Sequence, residues 1–470
     1  MTKKNPVFRW IDERLFMCIA ILVIGIFYMK MIPPSMVPDE PAHLWRAYEI
    51  SHGFLLSDTD EEGIGGNFLP QGIEQYVWSD AFLDYDNLIF VPYPNTSLYS
   101  PVCYIPQVIG VKIGEIFTNN TWGLFRASRT GAFVFCLLMC AGAIYTVPFG
   151  RKVLFCAFVF PMSMQEMISV SPDGIVLSLA AFFMAYILNI LYSDRKIRIK
   201  DILILGLMSF MLSMCKIVYL ILVFLIFMIP KEKYEKKSHM MISRIALPAI
   251  CVITNLIWLK IASGYLIEFN EGVNSGEQVK FILGHIPSYL VIALRTTKVW
   301  ATTWIRTMAG SMLGWLNVPI PSFGWGVILI LFTFEAAITK SESKYNKWNY
   351  VVVSLITITL GYALILTSLY VQWTPVQCEY INGIQGRYFI PLLFPGAFAV
   401  IIVINIIAGK IYKKVTEKGN SSLIKVSKMI STVRDFMEKY GFAVCLILVI
   451  AGNIVALKAI HSFYSHEGFY

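Results

Sequence analysis

Polar residues in this chain come in short clusters separated by apolar runs near the length of about 20 residues that crosses a bilayer as a helix. Runs at about 15–32, 124–147, 153–170, 175–193, 243–262, 321–339, 349–370, 388–408 and 441–459 each predict one span. The run 201–230 is interrupted at Cys215-Lys216 and predicts two spans that meet at Lys216. The expectation is an all-α polytopic membrane protein of about eleven transmembrane helices, residues 1–470 forming a single integral membrane domain. Residues 33–121 form a long first extracytoplasmic loop bearing surface helices, since the stretch after Pro106 is too interrupted to span. Residues 263–320 form a second extracytoplasmic segment, with Trp300, Trp304 and Trp315 suited to the membrane interface. The loop 371–387 also lies outside, and residues 409–440 form a basic cytoplasmic segment.

Composition agrees. Of 470 residues 57% are hydrophobic and only 15% charged, and mean hydropathy is +0.63; soluble domains carry less apolar and more charged sequence. The net charge of +9 implies no nucleic-acid partner, because basic residues of membrane proteins gather in cytoplasmic loops and orient the chain. Most of the 39 lysines and arginines fall in the segments assigned to the cytoplasm. That places the amino terminus, with Lys3, Lys4, Arg9 and Arg14, inside, and the first run reads as an uncleaved anchor. Splitting 201–230 is decisive, since one span there would reverse everything downstream. The nine cysteines contain no C-x-x-C pair. Cys103 and Cys378 both fall in outside segments, where a bridge is allowed but nothing in their spacing requires one.

The chemistry starts where the first run ends, at Pro38-Asp39-Glu40-Pro41-Ala42-His43-Leu44-Trp45-Arg46-Ala47-Tyr48. Pro41 suits the start of a helix and leaves Glu40 free to cap it. His43, Arg46 and Ile50 then share one helix face. Asp39 and Glu40 could simply cap a surface helix. Two carboxylates, a histidine and an arginine beside a membrane nonetheless exceed what packing needs. Further ionisable residues sit near the same face: Arg126, Arg129, Asp173, Lys216 and Arg387, the last beside Gly386 and Tyr388. Charges at membrane depth are costly unless partnered and mark function by default; snorkelling to headgroups is the ordinary alternative for Arg126 and Arg129. Acids with a histidine handle protons, several cations hold phosphate, and Asp39, Glu40 and His43 could also ligate a divalent ion such as Mg or Mn. Group transfer from a lipid phosphate fits this combination.

These residues resemble the GT-C superfamily of membrane glycosyltransferases, whose catalytic acid lies in the first outside loop. More narrowly the chain resembles a bacterial family of predicted membrane proteins assigned to that superfamily. The matching pieces are Pro38-Asp39-Glu40-Pro41-Ala42-His43 through Tyr48, Ser171-Pro172-Asp173, Lys216 with Tyr219, and Gln385-Gly386-Arg387-Tyr388-Phe389-Ile390-Pro391. The resemblance implies a GT-C-like fold in the cytoplasmic membrane. It implies a polyprenyl-phosphate sugar donor, and transfer at the extracytoplasmic face to a cell-surface glycan or lipid-linked saccharide. Asp39 would be the general base, with Glu40 and His43 tuning it or holding the metal. Arg46, Arg126, Asp173, Lys216, Arg387 and Tyr388 are the expected substrate-binding residues. A transporter or flippase of a lipid-linked saccharide would also bind polyprenyl phosphate. It should place its charges along a path through the membrane, whereas here they cluster at one face.

Overall fold

The computed structural model describes residues 12–75, 81–265, 267, 270–418 and 421–469. The amino-terminal basic residues Lys3, Lys4 and Arg9 lie outside them.

Helix α1 (Glu13–Met31) is the first apolar run, capped by the Asp12 carboxylate, which accepts from the Arg14 N–H. A turn at 32–39 leads into α2 (Glu40–Ser51). The loop that follows is not purely helical. Strands β1 (Asp58–Thr59), β2 (Gly65–Gln71) and β3 (Asp84–Pro92) form an antiparallel sheet in the order β1-β2-β3. The all-α expectation is corrected here: the fold is mostly helical with a small sheet in the first loop. Its strands are short and mixed in character, and a search for long apolar runs passes over them. Next come α3 (Pro94–Ser97), a 3-10 turn at Pro101–Tyr104, and α4 (Ile105–Phe117), the surface helix expected after Pro106.

Helix α5 (Thr121–Thr146) is the second long apolar element. The stretch 153–170 is not one span. It forms two short helices, α6 (Arg151–Phe158) and α7 (Pro161–Ile168), because Pro161 has no N–H for a continuing helix and clashes with the preceding turn. Helix α8 (Asp173–Leu191) is buried on nearly every side. Helix α9 (Ile199–Cys215) then stops at Lys216, whose backbone is extended, and a 3-10 helix follows at Ile217–Met228. The break in 201–230 therefore falls at the lysine, as its sequence suggests.

Helices α10 (Lys237–Met241) and α11 (Leu247–Ala262) join through a π turn. They precede α12 (Ser275–Gly284), α13 (Ile286–Ala309) and a small hairpin, β4 (Met312–Leu313) with β5 (Val318–Pro319). Helices α14 (Ser322–Ile338), α15 (Trp348–Gln372), α16 (Ile390–Lys418) and α17 (Ser421–His466) complete the bundle. Seven helical segments among the described residues are long and apolar enough to cross a membrane. Two shorter apolar helices, Ile217–Met228 and Ser322–Ile338, accompany them. The expected eleven spans are thus not eleven long helices. Cys103 and Cys378 are both free thiols, so the bridge allowed by their placement is not formed.

Candidate active site

Five elements bring their ends to one place: the tip of α2, the 93–104 segment, the start of α8, the end of α9 and the Gly386–Phe389 turn before α16. Asp173 is the first residue of α8 and Lys216 the last before the 3-10 helix; the two form an ion pair. Arg387 reaches the same carboxylate at 3.6 Å and the Glu166 carboxylate, on α7, at 3.3 Å. Lys216 lies over the Tyr99 ring at 5.7 Å and the Tyr388 ring at 5.4 Å, within the range of cation–π attraction. Tyr219 fixes the turn by donating to the Tyr388 carbonyl at 2.9 Å.

Gly386 has a mechanical reason. A Cβ there would lie 2.3 Å from the Trp304 carbonyl and 2.4 Å from the Met308 nitrogen. It lets the turn press against the backbone of α13.

Helix α2 supplies the other wall. His43 is 4% exposed, and its Nδ1 shares a 2.7 Å hydrogen bond with the Tyr104 hydroxyl. Its ring meets Tyr99 edge-on at 5.5 Å. Burial, reinforced by the positive charges of Lys216 and Arg387, pulls its pKa down to about 3. It is therefore a neutral imidazole at neutral pH. Burial also pushes the Tyr99 hydroxyl up to about 12; Lys216 pulls against that shift and Asp39 adds to it. Asp39 thus shares its surroundings electrostatically with the lysine cluster.

Asp39 is the N-cap residue of α2 but its side chain makes no capping hydrogen bond. It sits in the left-handed region at φ 60°, uncommon for a non-glycine residue and tolerated best by Asn and Asp. Its carboxylate instead accepts from Asn95 Nδ2 at 3.2 Å. Asn95 is carried by α3, whose Thr96 hydroxyl donates to the Ala42 carbonyl of α2 at 3.0 Å. The simple capping role does not account for Asp39.

Glu40 does not stand beside Asp39 in the cluster. It is fully buried and accepts two hydrogen bonds from Arg129, at 2.7 and 2.6 Å, and one from the Val170 N–H at 3.1 Å. Arg129 also donates to the carbonyls of Ile32 and Pro33 at 2.6 and 2.9 Å. Neither the helix-capping role of Glu40 nor snorkelling of Arg129 survives; the two clamp α2 to α5. Arg46 is likewise turned away from the cluster. It pairs with Glu49, donates to the Leu55 carbonyl at 2.8 Å, and both side chains are fully buried. Arg126 is exposed on α5 with its guanidinium 5.7 Å from the Trp122 ring, and no described contact joins it to the cluster.

Asp39, Glu40 and His43 do not converge as metal ligands. Each faces a different partner, and among the described residues no group of three metal-ligating side chains comes together. The donor set does not fit a bound divalent ion.

Of the residues predicted from sequence, Asp39, His43, Asp173, Lys216, Arg387 and Tyr388 assemble; Glu40, Arg46 and Arg126 stand apart. Four participants went unpredicted: Glu166, Asn95, Tyr99 and Tyr104. Glu166 had a signal, an acid inside the apolar run 153–170; Asn95, Tyr99 and Tyr104 had none in a single sequence. Two buried atoms aimed at this place have no hydrogen-bond partner, Glu166 Oε2 and Arg387 Nε. These two atoms leave hydrogen-bonding capacity on a buried acid and a buried guanidinium of the same cluster.

No curated protein and no solved structure matches the chain. Residues 73–394, more than half of it, match the family described as predicted membrane protein (DUF2142). The match starts beyond Asp39 and His43 and takes in Asp173, Lys216, Arg387 and Tyr388. The chain belongs to this family of predicted membrane proteins.

Proposed function

We propose that the protein is a membrane glycosyltransferase. It moves a sugar from a polyprenyl-phosphate donor to a cell-surface glycan or lipid-linked saccharide at the extracytoplasmic face of the cytoplasmic membrane. The observation that carries this is the buried meeting of Glu166, Asp173, Lys216 and Arg387, residues far apart in sequence, with two unpaired polar atoms among them and with Asp39 close enough to act on Tyr99, the ring over which Lys216 lies. The acceptor hydroxyl gives its proton to the Asp39 carboxylate as its oxygen bonds the anomeric carbon. The bond from that carbon to the phosphate oxygen breaks, and the phosphate leaves with the electron pair. Lys216 and Arg387 stabilise the charge that develops on it. Tyr99 and Tyr388 flank Lys216 and give the sugar apolar faces to rest on.

The two cations are already partnered by Asp173 and Glu166. Their pairing keeps them charged and oriented in the absence of donor, and the phosphate competes for the Arg387 N–H groups that Glu166 and Asp173 leave unfilled. His43, neutral, orients Tyr104 and does not take the proton. No step runs through a metal.

Membranes containing the protein, given a labelled polyprenyl-phosphate sugar, should form glycosylated product. Asp39→Asn should lower the rate by at least about 10²-fold, the lower end of general acid–base catalysis. Asparagine suits the left-handed backbone of position 39 and can still contact Asn95, so the melting temperature in detergent should hold. A folded Asp39→Asn protein with near-normal transfer removes Asp39 from the chemistry. Transbilayer movement of the labelled lipid without product would instead identify a flippase.

A further inference from the structure

We infer that a second, non-catalytic lipid site lies in the groove between α4 and α5, and that it holds one acyl chain of an anionic phospholipid. The groove encloses about 470 Å³. Ile109, Ile113 and Phe117 line it from α4, and Ala127, Val134 and Leu138 from α5. Phe117 is 82% exposed and Leu138 60%, so the walls face outward from the bundle. The helices that make it cannot slide apart to close it. They touch backbone to backbone, since a Cβ on Gly131 would lie 2.2 Å from the Pro106 carbonyl and one on Gly110 2.3 Å from the Ala127 carbonyl.

Dimensions choose the occupant. From Gly123 to Leu138 the groove follows α5 for about 22 Å at 1.5 Å per residue. One leaflet with its headgroup region measures about 20–22 Å, half of a bilayer of about 40–45 Å. A partner helix, about 10–12 Å across, would need far more room over that length than the available volume of about 470 Å³, whereas a single hydrocarbon chain is slender enough to lie in it. A chain as long as a polyprenyl tail would overrun the leaflet.

Charge chooses the headgroup. Arg126 is exposed one helical turn before Thr130, which lines the groove, and its guanidinium lies over Trp122 near the amino-terminal end of α5. A cation next to an interfacial tryptophan at the mouth of an apolar slot attracts a phosphate-bearing headgroup. Arg126, absent from the candidate active site, acquires a role here. The site is independent of the proposed transfer reaction.

The test is native mass spectrometry of the full-length protein released from mild detergent. Dioleoylphosphatidylglycerol, dioleoylphosphatidylcholine and a polyprenyl phosphate are each added as probes. One phosphatidylglycerol should be retained about fivefold more strongly than phosphatidylcholine, the selectivity of a single cation at a membrane surface. Arg126→Glu should abolish that preference and Arg126→Lys keep it. Val134→Trp, or Leu138→Trp, should fill the groove and release both phospholipids. All three positions lie outside the cluster and are exposed, so melting temperatures should match the wild type. Equal retention of the two phospholipids, unchanged retention in Arg126→Glu and the groove-filling variants, or displacement of phosphatidylglycerol by polyprenyl phosphate would each overturn the proposal.

Discussion

Two buried sets of charges lie within a few residues of each other and are built on opposite principles. In the Glu40–Arg129 clamp the carboxylate accepts from Arg129 and Val170, and the guanidinium also donates to Ile32 and Pro33. In the Asp173, Lys216, Arg387 and Glu166 cluster, pairs form but Glu166 Oε2 and Arg387 Nε are left over. The clamp has nothing to offer a ligand. The cluster does, and the sugar-phosphate donor proposed above would use it. Burial and charge are the same in both places; they differ in that every charged atom of the clamp is hydrogen-bonded and two of the cluster are not.

The largest expected effect would break that distinction if it failed. Glu40→Gln should destabilise the protein by about 3–5 kcal/mol, the usual consequence of stranding one partner of a buried pair, read as a lowered melting temperature. Glu40→Leu combined with Arg129→Met should recover much of the loss, because apolar residues of similar size often replace a buried pair without cost. A Glu40→Gln protein that melts normally yet transfers nothing would move Glu40 into the chemistry.

Acid should act next most strongly, through His43. Its folded pKa of about 3 lies below the unfolded value of about 6.5. Between those values the unfolded chain binds a proton that the folded one excludes, so the stability present above pH 6.5 is lost as pH falls toward 3. The slope from this one group is up to about 1.4 kcal/mol per pH unit. Thermal melts across that window should show the slope in the wild type and a shallower one in His43→Gln.

Arg387 sharpens the comparison from the other side. Arg387→Ala should weaken donor binding by about ten- to hundredfold, as for a charge-assisted hydrogen bond of about 1.5–3 kcal/mol. Arg387→Lys should lie between, keeping the charge without the planar fork. Donor titration of both variants checks this, and unchanged affinity in a folded alanine variant makes Arg387 structural.

Asn95 should give the smallest change. Asn95→Ala removes a hydrogen bond to Asp39 of about 1.5–3 kcal/mol at most. The transfer rate should fall by about tenfold while melting is unaffected. An unchanged rate means Asn95 does not hold Asp39 in place.

Much of this was legible in the chain. Apolar runs located most long helices, and the interruption at Lys216 marked a real break. Asp39, Asp173, Lys216 and Arg387 stood out because charge near a bilayer is rare. Pairing was not legible. Nothing in a single sequence says that Glu40 meets Arg129, 89 positions away, or that Arg46 turns to Glu49 rather than to its helix-face neighbour His43. Periodicity reports which side of a helix a residue occupies, and a long guanidinium reaches past that side. The short sheet of the first loop was missed because two of its strands are interrupted by glycine and asparagine, and because its cross-strand partners lie beyond any local window.

Helix α2 is fastened at both ends: at its first residue to α5 by Glu40, and about two turns on by the Arg46–Glu49 pair, whose Glu49 also accepts from Ser57 and Asn67 at 3.1 and 2.8 Å. Asp39 is therefore fixed relative to α5 before any substrate arrives. In the reaction proposed above, a base held this way would lose little motional freedom on forming the reactive complex, so orientation entropy would be withdrawn from the barrier in advance. The same stiffness ties its aim to the tilt of α5. A bilayer thinner or thicker than the native one, by tipping α5, would misdirect Asp39 without disturbing a single contact in the site.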